Sequence, residues 1–110
     1  MVEITIYKTN KQGYSGFDAK GHAGLAESGQ DILCSAISML VINTINSIER
    51  FTADAMTIAQ EETDGIIEVR FLDEVSKDSE LLLDSMMLGL SSLEENESYQ
   101  PFIDIIYKEV

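Results

Sequence analysis

The 110-residue sequence predicts an α/β (α+β) two-layer sandwich in the order β-β-α-β-β-α-β, with two helices on one face of a mostly antiparallel sheet. Three observations predict it. The apolar spacing switches between two residues and 3.6 residues along the chain, giving strand patterns near 2–7, 14–21, 53–61, 66–72 and after Pro101, and helical patterns near 32–50 and 77–93. Two short turn signals, Asn10-Lys11-Gln12-Gly13 and Thr63-Asp64-Gly65, join neighbouring strands. The length suits a single domain, 1–110, that buries about two-thirds of its unfolded surface and folds without disulfides or metal.

In the first strand Val2, Ile4 and Ile6 alternate with Glu3, Thr5 and Tyr7. The second returns from Tyr14 to Gly21 with Phe17 and Ala19 on one face. A glycine-rich loop, 22–30, leads to a helix from about Ile32 to Arg50, on which Leu33, Ile37, Val41, Ile45 and Ile48 recur at helical spacing. Met56 and Ile58 mark a third strand, placed at 53–61, and Ile67, Val69 and Phe71 a fourth. The second helix, about Lys77 to Leu93, has Ser76 as its cap and Leu83, Met86, Met87, Leu90 and Leu93 as its apolar stripe. Pro101 opens the last strand, with Ile103, Ile105 and Tyr107 on one face. Ile66, Leu72 and Ile106 fall out of phase with the core set, and an apolar remainder on a small sheet suggests a homodimer.

Net charge is −13, and it is uneven: residues 54–110 carry fifteen acids and three bases, residues 1–53 five acids and four bases. Such a field disfavours nucleic acid and anionic lipid as direct ligands and attracts basic partners. It also serves solubility alone. The run 32–48 has no charge but is interrupted by serine, threonine and asparagine, so a core helix is expected rather than a membrane anchor. A lone cysteine and an opening that reads as a strand rather than a signal peptide point to a reducing, cytoplasmic setting.

The chemistry gathers between Gly21 and Ser38, which hold the only histidine, His22, and the only cysteine, Cys34. A thiol and an imidazole are the minimum for cysteine nucleophilic catalysis, because the thiol needs a base or a positive field to become a thiolate. With Asp31 as N-cap, Cys34 lies in the first helical turn, near the partial positive charge of the helix start. Asp31 has a second reading, as the group that orients His22. The first-turn N–H groups, that of Cys34 included, are the expected oxyanion donors. Gly21, Gly24 and Gly29 suit a mobile loop over the site, and Ser38 stands one turn beyond the thiol.

Other readings compete. A cysteine on an apolar helix face is commonly an inert small hydrophobe, and a histidine at a strand end an ordinary polar residue. The loop matches neither the phosphate-binding nor the dinucleotide glycine pattern. A metal site from His22, Asp31 and Cys34 has too few nitrogen and sulfur ligands, and thiol redox sensing lacks a resolving cysteine. No metal or other cofactor is therefore expected. The alternative from another class is a non-catalytic binding module for a basic protein, in which Cys34 is core and His22 structural.

Gly21-His22-Ala23 followed by Gly29-Gln30-Asp31-Ile32-Leu33-Cys34-Ser35-Ala36-Ile37-Ser38 resembles the signature of the ribosomal-processing cysteine protease family, Prp. Gly89-Leu90 and Tyr99-Gln100-Pro101 extend the resemblance over nearly the whole chain. Ser35 replaces an expected second small residue, and Leu25 stands where an aromatic often occurs. The resemblance implies a catalytic dyad of His22 and Cys34, with Asp31 and Ser38 as supporting polar positions. It implies removal of the N-terminal extension of large-ribosomal-subunit protein twenty-seven by cleavage after an aromatic residue, in a cytoplasmic homodimer with a mobile loop over the site. A basic ribosomal protein precursor as substrate gives the acidic surface a rationale.

Overall fold

The computed structural model describes residues 1–21 and 31–110. In chain order they form β1 (Val2–Lys8), β2 (Tyr14–Lys20), α1 (Ile32–Phe51), β3 (Met56–Glu61), β4 (Ile66–Phe71), α2 (Lys77–Glu95), a short 3-10 turn (Gln100–Phe102) and β5 (Ile103–Glu109). The sheet order is β3-β4-β2-β1-β5. Three of the four pairings are antiparallel, and β1 with β5 is parallel.

That order explains the helices. The strand directions make β2–α1–β3 and β4–α2–β5 crossover connections between like-directed strands. One moves left from a descending strand and the other right from an ascending one, so crossovers of the same hand lay both helices on the same face. The core lies between: Ile4, Ile6, Phe17 and Val69 from the sheet meet Leu33, Val41 and Ile48 of α1 and Leu83, Met86 and Leu90 of α2, all 0–1% exposed. Every apolar position expected on the inner face of α1 is buried there. Gly89 lets the two helices meet, since a Cβ on it would stand 2.8 Å from Leu40 Cδ2.

The third strand is shorter than its alternation suggested and starts at Met56. Residues 52–55 are drawn off by helix ends. Thr52 Oγ1 donates to the Ile48 carbonyl, and the Asp54 carboxylate accepts from Ser76 N–H (3.1 Å) and from the Ser76 and Ser79 hydroxyls at the start of α2. Ser76 also caps α2 as expected, accepting from Ser79 N–H. β3 is an edge strand beyond the cover of the helices, and Ile58 remains 39% exposed.

The helix-free face is polar at its centre. Asp18, 2% exposed, accepts from Arg70 Nη1 at 2.6 Å and Tyr7 Oη at 2.7 Å, and the guanidinium lies 4.3 Å from the Tyr7 ring centre. Gly16 makes room, because a Cβ there would stand 2.3 Å from the Val69 carbonyl oxygen. Ile66 and Ile106 are half-buried at its margins, and Leu72 is exposed just past the end of β4.

Candidate active site

The site is built at one end of the sandwich, where β2 stops and α1 starts. Gly21 ends β2 with φ +92°, and a Cβ there would stand 2.6 Å from the Met1 carbonyl oxygen. Only glycine fits that position without strain. Its N–H donates to the Gly65 carbonyl at 3.1 Å, which ties the β3–β4 turn to the point where the chain departs toward residue 22. His22, Gly24 and Gly29 lie outside the described residues.

Asp31 is the N-cap of α1, with extended φ −79° and ψ 104°. Its carboxylate, 4% exposed, accepts from Cys34 N–H at 3.0 Å, and its carbonyl accepts from Ser35 N–H at 3.1 Å. The cap fixes the first turn and with it the direction of the Cys34 side chain. It also corrects one expectation. The Cys34 N–H serves the cap, so the first-turn donors left for an oxyanion are those of Ile32 and Leu33, which have no backbone partner among the described residues.

Cys34 is half-buried at the edge of the core. It lines a groove of about 210 Å³ together with Ser38 and Ile42 of α1, Val2 and Ala19 of the sheet, and the β3–β4 hairpin residues Gln60, Glu61, Glu62, Gly65 and Ile66. Ser38 is therefore a neighbour of the thiol along the groove wall, as its helical spacing required. A space of this size admits one large side chain of a peptide. The hairpin's share was not readable from the sequence, because it depends on the long-range Gly21–Gly65 bond. Glu61 is occupied in holding its turn: its carboxylate accepts from Asp64 N–H at 3.0 Å and Thr63 N–H at 2.9 Å, and hydrogen bonding with Asp64, side chain first and then backbone, with Thr63 adding less, keeps it below the ordinary glutamate range. Among the described residues no three His, Cys, Asp or Glu side chains converge as metal ligands.

A thiol in the first turn of a helix, opening on a groove sized for a side chain, is the arrangement of a cysteine hydrolase. The comparisons with known proteins narrow the class. The family model described as cysteine protease Prp matches residues 1–104. The ribosomal processing cysteine protease Prp of Staphylococcus aureus (strain Mu50 / ATCC 700699) is 30% identical over 88 residues, covering 80% of this chain and 81% of that one. The Bacillus subtilis (strain 168) protein of the same name is 27% identical over 100 residues, covering 87% and 89%. The crystal structure of the S. aureus protease with a covalently linked product peptide superposes with a TM-score of 0.91 at 26% identity, covering 98% of this chain and 100% of that one. The chain belongs to the cysteine protease Prp family. It is a cysteine protease with the α+β fold of the solved Prp structures.

Proposed function

We propose that this protease removes the N-terminal extension of large-ribosomal-subunit protein twenty-seven, using Cys34 as nucleophile and His22 as its base. The observation that carries the reading is the placement of Cys34. Its sulfur belongs to a capped first helical turn, it faces a groove, and it sits in a family whose curated relatives are ribosomal processing proteases. In the proposed reaction imidazole takes the thiol proton, the thiolate attacks the scissile carbonyl, and imidazolium returns the proton to the leaving amine. Water then releases the acyl-enzyme. The Ile32 and Leu33 amides are the oxyanion donors in this scheme.

The remaining expectations belong to the same proposal. Asp31 acts through its cap, Ser38 through its contact with the groove, and the glycine loop as a mobile cover. The protein works in the cytoplasm as a homodimer on a basic precursor, without a cofactor and without binding nucleic acid or membrane. The pH dependence of alkylation tests the dyad. Iodoacetamide should react with native Cys34 with an apparent pKa well below that of a free thiol, near 8.5, and His22→Ala should return the profile toward that value. A native thiol that ignores the reagent, or a profile unmoved by His22→Ala, contradicts the dyad.

A further inference from the structure

The turn between β3 and β4 is held by more bonds than a hairpin needs. β3 is an edge strand exposed along all but its first residue, so side-chain packing does little to place its end. Polar bonds place it instead. Gly65, with φ +63°, closes the turn by donating its N–H to the Glu62 carbonyl at 3.2 Å. The amides just before it, those of Thr63 and Asp64, both donate to the Glu61 carboxylate, one to each oxygen, at 2.9 and 3.0 Å. An ionised acceptor makes such bonds stronger than neutral ones. Successive N–H groups of the turn are thereby fixed, most of them by one side chain.

The fixed turn reaches the catalytic end of the molecule through a single bond. The Gly65 carbonyl accepts from Gly21 N–H at 3.1 Å. Gly21 also lies against the Met1 carbonyl, and its φ of +92° sets the direction in which the chain leaves β2. The next residue is His22. A base must stand within hydrogen-bond reach of its nucleophile, and a misplacement of about 1 Å can cost about a hundredfold in rate. Glu61 and Gly65 also line the groove beside Cys34, so the turn that anchors Gly21 is the turn that walls the site.

We infer that Glu61 is a positioning residue of the protease: by holding the β3–β4 turn it holds Gly21, and through Gly21 the point from which His22 is set. The inference rests on the proposed Cys34–His22 dyad and adds a residue that acts on it through the backbone. Simple electrostatics gives the opposite sign. A carboxylate near Cys34 disfavours the thiolate, so removing its charge alone would lower the thiol's pKa. Loss of positioning raises it.

The pH profile of Cys34 alkylation separates the two without any substrate. Glu61→Ala, with an unchanged far-ultraviolet circular dichroism spectrum, should raise the apparent pKa toward the free-thiol value of about 8.5. Glu61→Gln, which keeps one of the two acceptor oxygens, should raise it less, and it carries the test alone if the alanine variant does not fold. Adding Glu61→Ala to His22→Ala should raise it no further, because the two act as a unit. Amide hydrogen exchange reads the step between them: in Glu61→Ala the Gly21 N–H should exchange several-fold faster than in wild type, while Phe17, paired with Val69 deeper in the same ladder, keeps its protection. A pKa that falls or stays unchanged in the Glu61 variants, a further rise in the double variant, or an unchanged Gly21 amide overturns the inference. If His22→Ala itself leaves the profile unmoved, the dyad fails and the inference falls with it.

Discussion

Asp31 and Cys34 are bound to each other through the backbone: the carboxylate of one holds the amide of the other at 3.0 Å. Asparagine caps a helix about as well as aspartate, whereas alanine costs about 1 kcal/mol. Asp31→Asn should therefore unfold at nearly the wild-type urea midpoint and Asp31→Ala at a lower one, and equal losses in both would show that the charge, not the cap, matters to the fold. The cap was legible because capping is a local rule, written in an aspartate just ahead of an apolar helical run. The use of the Cys34 amide was not, since any of several first-turn donors satisfies the same sequence. Gly21 was legible only as a flexible position, and its structural demand, a positive φ beside the Met1 carbonyl, comes from a residue twenty positions earlier in the chain.

At the scale of elements, both helices and all five strands were readable from periodicity, because inner-face residues such as Leu33, Ile37 and Val41 repeat in step with the helix. The start of β3 was not, since Asp54 and Thr52 answer to helix ends that are distant in sequence or face another way. The polar centre of the open sheet face was likewise hidden, because Asp18 and Arg70 are 52 residues apart. Burial acts to raise the pKa of Asp18, but the hydrogen bonds from Arg70 and Tyr7 outweigh it and hold the carboxyl below its ordinary value. A depressed folded pKa adds stability above the unfolded value, about 3.9, and that stability is lost as pH falls through the folded value. Arg70 is 42% exposed in its side chain, which limits the gain. Asp18→Asn should cost about 1–2 kcal/mol at pH 7, and the gap from wild type should narrow below pH 3 in denaturant titrations. A gap that stays constant with pH would contradict the ionised pair.

For the molecule as a whole, charge and chemistry meet at one end. Val2 lines the groove with Cys34 and pairs with Ile103, the first residue of β5, so the acids at the end of α2 lie at the same end of the sandwich as the site. Glu94 is partly committed to structure, its carboxylate accepting from Ile105 N–H at 3.1 Å. Glu95 and Glu97 are exposed and are the cleaner probes. If the acidic field gathers a basic substrate, Glu95→Lys/Glu97→Lys should raise KM several-fold at low salt with kcat little changed, and should flatten the rise of KM with salt. Unchanged kinetics would leave the charge a matter of solubility. Whether Cys34 and His22 cleave a ribosomal protein precursor is decided by the intact mass of the N-extended precursor after incubation with wild type, Cys34→Ala and His22→Ala proteins shown to be folded. The extension should be lost with wild type alone; an intact precursor in all three samples, or its cleavage by the Cys34→Ala protein, would contradict the dyad.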